Sequence, residues 1–256
     1  MTNPDFGQTA HDYARHRGGF PPEFFDSLNE IAIDPKGARI VDLGTGTGTI
    51  ARGFATRNGQ VTGVDISDDL MREARRLDGE AGVTVEYVRA SAEETGLATD
   101  GFDIVVAGQC WWWFDADAAL AEATRLLRPG GALLLASWDW IPQPGNVVDL
   151  TERLIESHNP EWLRGGGNGL HPEFIVDLQR GGFEPVSQLT FPMDDRYTHA
   201  SWRGRVRASA GIAASLPSAQ VEAFDNELAT MLKDRFPDDP LAIPHRVFAA
   251  VGRTPT

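Results

Sequence analysis

A doubly wound α/β fold, with a mostly parallel sheet and helices on both faces, is predicted by three features of this 256-residue sequence. Short apolar, β-branched segments alternate with helical patterns from Gly37 to about Trp140. The first such segment runs straight into a glycine loop that opens a helix. An acidic residue, Asp65, closes the second segment, 21 residues after Gly44. Strands covered on both faces by crossover helices read as continuous apolar runs, so this alternation gives a βαβαβ register.

The elements follow in order. Arg39 to Leu43 reads as a buried strand and Gly48 to Asn58 as a helix. Gln60 to Asp65 is a second strand, and Ser67 caps a helix running to about Leu77. Val83 to Val88 and Phe102 to Ala107 are further strands, Ala116 to Leu127 is a helix, and Gly131 to Trp138 is a fifth strand entered by Arg128-Pro129-Gly130-Gly131. Past Trp140 the rhythm changes. Val147 to His158 looks helical, and 165–169 (GGGNG) is a loop with almost no side chains to fix it. Phe183 to Phe191 reads as a strand, Arg203–Leu216 and Ser218–Phe236 as helical, and Pro244 to Val251 as a last strand. The expected organisation is an entrance segment and helix over 1–36 and a ligand-binding core over 37–140. A small helical lobe or lid over the sheet's carboxyl edge follows at 141–182, with strands and helices over 183–256 completing the sheet and a substrate pocket.

Composition narrows the partners. With 41% hydrophobic and 23% charged residues, the chain has the mixture of a packed globular protein. Its net charge is −14 and its pI about 4.8, a surface that repels phosphate backbones and anionic lipid, so no nucleic acid and no membrane is expected as a partner. The longest apolar run, Ala132 to Trp138, falls far short of the roughly 20 residues a bilayer needs. The polar first residues carry no signal-peptide pattern, and a cytoplasmic protein is expected. The single Cys110 excludes an internal disulfide and a Cys-rich metal site. None of the six histidines forms an i, i+4 pair with nearby carboxylates, so no metal is expected.

The segment from Ile40 to Ile50 (IVDLGTGTGTI) carries the chemistry. Glycines let the backbone turn sharply and approach a ligand, while the following helix offers unpaired N–H groups. A carboxylate about 20 residues on, at the next strand tip, can accept hydrogen bonds from ribose hydroxyls. A nucleoside-bearing cofactor follows. Gly46 to Ala51 also satisfies the dinucleotide G-x-G-x-x-(G/A) pattern, which leaves an NAD(P)-dependent oxidoreductase open. Asp42 argues the other way, since a carboxylate there repels pyrophosphate and attracts an ammonium group. A strand-end capping role for Asp42 competes with that reading.

Four segments in this order, 41–48 (VDLGTGTG), 63–67 (GVDIS), 102–105 (FDIV) and 127–131 (LRPGG), resemble the class I S-adenosylmethionine-dependent methyltransferases over roughly residues 37–140. Two more, 13–21 (YARHRGGFP) and 109–115 (QCWWWFD), resemble the branch containing ubiquinone-biosynthesis-like and trans-aconitate-like enzymes. The chain departs from that branch's pattern at Gly18 for proline, Phe20 for tyrosine and Trp112 for histidine. The resemblance implies a Rossmann-like fold and S-adenosylmethionine as cofactor. It also implies methyl transfer to an O, N or C atom of a small molecule; the apolar Trp112 in place of histidine adds natural-product or secondary metabolism as a candidate setting. It places Gly44, Thr45 and Gly46 along the methionine and ribose, Asp65 on the ribose hydroxyls and Ile66 on the adenine. Ala92 and Glu93 would flank the adenine, although Glu93 reads equally as a solvated helix-start carboxylate. Gln109 would stand beside the methionine, with Tyr13 and Arg17 closing over it. A protein that keeps this fold for non-methyl chemistry is a further alternative.

The run Trp111-Trp112-Trp113-Phe114 cannot all face one core. Alternation in an extended or turning segment would send two side chains inward and two toward a pocket. Trp112 and Trp113 are candidate acceptor-binding residues, with Trp138 at the carboxyl end of the fifth strand and Phe20 of the entrance segment beside them. Tryptophan at 112 suits an acceptor that is partly hydrophobic, because a hydrated polyacid would lose its water without replacement partners. No catalytic base is evident. His171 and His199 are the weak candidates.

Overall fold

The computed structural model describes residues 19–256. The expected cofactor contacts Tyr13 and Arg17 lie outside the described residues. Helix α1 (Pro22–Ser27) precedes strand β1 (Arg39–Leu43), helix α2 (Thr49–Ala55) and strand β2 (Gln60–Asp65). Helix α3 (Asp68–Ala81), strands β3 (Glu86–Arg89) and β4 (Phe102–Gly108), and helix α4 (Ala116–Leu126) come next. Then follow β5 (Leu127–Trp140), α5 (Val147–His158), α6 (Pro172–Arg180), β6 (Ser187–Tyr197), α7 (His199–Arg207), α8 (Ser218–Arg235) and β7 (Leu241–Arg253).

The strands form one seven-stranded sheet in the order β3-β2-β1-β4-β5-β7-β6. The β1–β2, β1–β4, β2–β3 and β4–β5 ladders are parallel. The expected doubly wound, mostly parallel Rossmann-like sheet is present. Helix starts follow the sequence signals: Ser67, Asp115, Asn146 and Thr198 each accept a backbone N–H three residues on. Leu70, Met71 and Ala74 form the buried stripe of α3.

Contacts divide the described residues into two compact units. The sheet unit comprises Gly19–Trp138, His171–Thr190 and Val247–Thr256. Its core gathers Val41, Leu43, Val105, Leu120, Leu135 and Phe248. The helical unit comprises Asp139–Leu170 and Phe191–Arg246, packed around Ile155, Trp202, Phe224, Leu228 and Ile243. The stretch 141–182, expected as one lobe, is shared between them. Helix α6, which the sequence reading did not single out, buries Phe174 and Leu178 in the sheet unit's core.

Other differences have local causes. β5 begins at Leu127 rather than Gly131: Leu127 pairs with Phe102 and Ala132 with Ile104, so Arg128–Gly131 bulge out of the ladder. β6 runs to Tyr197 instead of stopping at Phe191. It is the sheet's edge strand, a position that tolerates proline. The third strand shifts from Val83–Val88 to Glu86–Arg89. The helix expected over Arg203–Leu216 is α7, ending at Arg207, and turns follow it.

Candidate active site

Strand order reverses at β1, which has β2 on one side and β4 on the other. Ligands of open α/β sheets bind outside the carboxyl ends of the strands at such a switch point. Three segments leave the sheet there: the glycine loop after Leu43, the turn after Asp65, and the turn after Gly108.

Gly44, Gly46 and Gly48 hold φ of 65°, 55° and 73°. Glycine adopts that region with the least strain. Backbone bonds fix the loop: Thr45 N–H donates to Val64 O at 2.9 Å and Gly48 N–H to Thr45 O at 2.8 Å. A Cβ on Gly44 would stand 2.9 Å from Cys110 Sγ and from Phe114 Cζ, so the turn after β4 backs the loop after β1. At Gly46 a Cβ would meet nothing within 4 Å. The loop therefore has one packed face and one open face.

Two carboxylates frame it. Asp42 is buried; its Oδ2 accepts from Thr45 Oγ1 at 2.7 Å and Ala51 N–H at 3.2 Å. Burial pushes its pKa up to about 7 against those two hydrogen bonds, and the charge of Asp65 adds to the rise. Asp65 Oδ2 accepts from Gly46 N–H and its Oδ1 from Ser67 N–H, both at 2.8 Å. Burial raises its pKa as well, against those amides. The electrostatic character of the loop is thus a pair of desolvated acids, which favours cationic and donor groups and opposes a pyrophosphate.

The remaining candidates are placed as follows. Ile66 is 68% exposed beside Asp65, and Ala92 is buried. Glu93 accepts the Asp115 N–H at 3.0 Å, tying the segment after β3 to the start of α4. Gln109 holds a left-handed φ of 63°, with its N–H on Ala136 O at 3.0 Å. The tryptophan run is a 3-10 turn (Trp111–Trp113), so side chains recur every three residues rather than every two. Trp111 and Phe114 share a face, centroids 6.0 Å apart, and Trp111 is buried with its indole N–H on Asp177 at 2.8 Å. Trp112, half-buried, stacks on His171 at 5.6 Å, and His171 stacks on Phe174 at 4.9 Å. Trp113 is half-buried and Trp138 buried. Phe20 packs on Phe24 and lies against Gly108 at the end of β4.

The two histidines differ. His171 pairs through Nδ1 with Glu173 at 2.8 Å. His199, in the helical unit, contacts the carbonyls of Phe236 and Asp238 through Nε2 at 2.9 and 3.1 Å, a strut between chain segments. Among the described residues no group of three or more His, Cys, Asp or Glu side chains could hold a metal ion, and no helix is long and apolar enough to cross a membrane.

Residues 41–135 match the family model described as a methyltransferase domain. An uncharacterized methyltransferase of Mycobacterium tuberculosis is 30% identical over 193 residues, covering 68% of this chain and 74% of that protein. The chain belongs to the class I S-adenosylmethionine-dependent methyltransferases. A ubiquinone biosynthesis O-methyltransferase of Xanthomonas axonopodis pv. citri is 33% identical to this methyltransferase over 179 residues, 69% of this chain and 73% of that protein. The fold is shared with a proposed type II methyltransferase from Anaeromyxobacter dehalogenans, with a TM-score of 0.63, 23% identity, and coverage of 93% of this chain and 98% of that one. Membership decides between the cofactors that the glycine pattern left open. The methyltransferase cofactor is S-adenosylmethionine, and nothing favours the nicotinamide reading. The residues present suit its ammonium and sulfonium: two desolvated carboxylates frame the loop, and Gly46 leaves its open face unfilled.

Proposed function

We propose that this methyltransferase methylates an O, N or C atom of a small, partly hydrophobic molecule at the carboxyl edge of β1, β2 and β4. The observation that carries the cofactor half is the open face of Gly46 beside Asp42 and Asp65. In this reading Gly44, Thr45 and Gly46 line the methionine and ribose, and Asp42 faces the ammonium. Asp65 takes the ribose hydroxyls on lone pairs that its amide partners leave available, since a carboxylate has about four acceptor sites. Exposed Ile66 packs on the adenine, which Ala92 and Glu93 flank, and Gln109 stands by the methionine.

S-adenosylmethionine supplies a methyl group already activated on a sulfonium. The protein's task is to hold the acceptor in line and exclude water, effects worth up to about 7–11 kcal/mol in favourable geometry. Phe20, Trp112, Trp113 and Trp138 serve the acceptor, and the Trp112–His171–Phe174 stack supports an apolar or aromatic one. Where the acceptor must lose a proton, His171, oriented by Glu173, is the candidate base, a role typically worth about 10²–10⁴-fold. His199 is set aside on its two carbonyl contacts. A cytoplasmic setting, without nucleic-acid or membrane partners, belongs to the same reading and rests on the acidic composition.

The test is formation of S-adenosylhomocysteine across a panel of aromatic, aliphatic and polyacid acceptors. Turnover concentrated in the apolar members supports the proposal; efficient methylation of a tricarboxylate such as trans-aconitate overturns the apolar acceptor. Trp112→Ala is expected to impair acceptor turnover far more than cofactor binding, and normal turnover in that variant would reduce the run to core packing.

A further inference from the structure

Against the glycine loop lies a partly buried polar network that cofactor binding as described does not use. Arg52 on α2 donates from Nη1 and Nη2 to the Thr47 carbonyl at 3.2 and 3.3 Å. The same Nη1 donates to Asp78 Oδ1 on α3 at 2.9 Å. The Asp78 side chain is only 5% exposed, and its Oδ2 accepts the Tyr87 hydroxyl from β3 at 2.7 Å. That hydroxyl is 2.5 Å from where a Cβ on Gly48 would stand. The Thr47–Gly48 peptide is thereby held at both ends, its oxygen by Arg52 and its N–H by Thr45 O.

We propose that Arg52, Asp78 and Tyr87 are positioning residues that hold the glycine loop in its cofactor-receiving shape before the cofactor arrives. The inference rests on the reading of that loop as the cofactor site. A loop with three glycines at positive φ has many alternative conformations, because glycine loses the most backbone freedom on ordering. Left unpinned, the loop would meet that ordering cost on binding, and the apparent affinity would fall with the fraction of loops in the competent shape. The network removes the cost in advance. Burial and the Asp78 contact hold the Tyr87 phenol well above its ordinary pKa, so it remains a donor at any working pH. Asp78 aims the guanidinium, and the guanidinium fixes the peptide. A plain ion pair tying α2 to α3 would need no loop carbonyl as a third partner.

Arg52→Met, Tyr87→Phe and Arg52→Lys in the full chain separate positioning from bulk stability. With S-adenosylhomocysteine in a calorimeter, Arg52→Met is expected to weaken binding about tenfold or more, and Tyr87→Phe by a smaller factor, as the competent fraction drops. Arg52→Lys should recover part of the loss. Without any cofactor, amide exchange at Gly46 and Gly48 should accelerate in the variants while the amides of β1 and β2 keep their rates. Tyr87→Phe keeps the ring and carries the test if Arg52→Met fails to fold. Variants that melt earlier yet bind with parental affinity, or whose loop amides exchange at parental rates, overturn the proposal. A parent that binds no S-adenosylhomocysteine would instead sink the cofactor reading of the loop, while the exchange rates would still decide what the network holds.

Discussion

In the sheet unit the two carboxylates of the glycine loop are held largely by backbone amides. Asp65 is gripped by the amides of Gly46 and Ser67, Asp42 by Ala51 N–H as well as the Thr45 hydroxyl, and the loop between them turns on three glycines at positive φ. In the helical unit the corresponding work is done by side chains. Asp225 joins Arg203 and Arg207, Thr151 takes the Trp202 indole N–H at 3.2 Å, and Arg205 lies over the Trp140 ring at 4.7 Å. Backbone-held geometry depends on a few residue types at fixed positions and fails when they change. Geometry held by side chains has several chemical solutions and degrades more gently. Substitutions in the two units should differ in kind as well as size.

The sharpest contrast lies inside the loop. Gly44→Ala meets Cys110 and Phe114 at 2.9 Å as well as an unfavourable φ, so it should lower the melting temperature strongly. Gly46→Ala meets only the φ cost, about 1–2 kcal/mol, because nothing lies within 4 Å of its Cβ. Its methyl group projects from the open face, so S-adenosylmethionine affinity should fall strongly with the fold retained. Calorimetry and melting curves of the pair check this. Parental affinity in Gly46→Ala would show that the open face receives nothing.

The same division explains what could be read in advance. β1 and β2 end where expected, and so do the loop glycines and Asp65, because turn geometry restricts residue type at each position. Helix α6 carries its own signals, Pro172 at its first position and Phe174, Ile175 and Leu178 on one face, within a stretch whose loops and glycines point to a lobe. Nothing in the sequence says that Asp177 meets Trp111 or that Glu93 meets the amide of Asp115, since such contacts depend on how elements pack. An extended run alternates its side chains with a period of two, but the tryptophan run folds with a period near three, which puts Trp111 and Phe114 on one face. β6 was cut short at a proline that an edge strand tolerates.

A second break in the comparison is Asp65. Asp65→Ala removes charge-assisted acceptors of about 1.5–3 kcal/mol each, so S-adenosylmethionine affinity should fall at least about tenfold. Asp65→Asn should rescue little, because both oxygens already accept backbone N–H groups and an amide nitrogen would face one of them. Near-parental affinity in Asp65→Asn would show that charge and acceptor count are immaterial there.

The helical unit supplies the control. Burial raises the Asp225 carboxyl, but Arg203 and Arg207 outweigh it and hold the pKa below the usual carboxylate range. That stability is present above the ordinary carboxylate pKa and is lost as pH falls through the lowered value. Asp225→Asn should cost about 1–2 kcal/mol at pH 7, less than a fully buried pair because the guanidiniums are partly in water. Denaturant titration measures it. S-adenosylhomocysteine affinity should stay parental, and a tenfold loss would show that the two units are not separable in function.

The smallest expected effect returns to the sheet unit and reverses the sign. Asp42 is the carboxyl whose burial dominates its hydrogen bonds, with the pKa raised from the ordinary value of 3.8 to about 7. Between those values the folded chain keeps a proton that the unfolded chain releases, so stability falls as pH rises through the window. Above about pH 7 the whole cost is present. Asp42→Asn removes the titration yet keeps an oxygen that can accept from the Thr45 hydroxyl and the Ala51 N–H. Relative to the parent, the variant should therefore gain stability as pH rises. The gap between pH 5 and pH 7 should be about 1 kcal/mol or more, against a ceiling of about 1.4 kcal/mol per pH unit for one proton. Guanidinium titrations of both proteins at pH 5, 6, 7 and 8 give that difference directly. A difference independent of pH would mean that Asp42 is ionised throughout. On the proposed reading, in which Asp42 faces the cofactor's ammonium, the same variant should bind S-adenosylhomocysteine more weakly at pH 8 than the parent does.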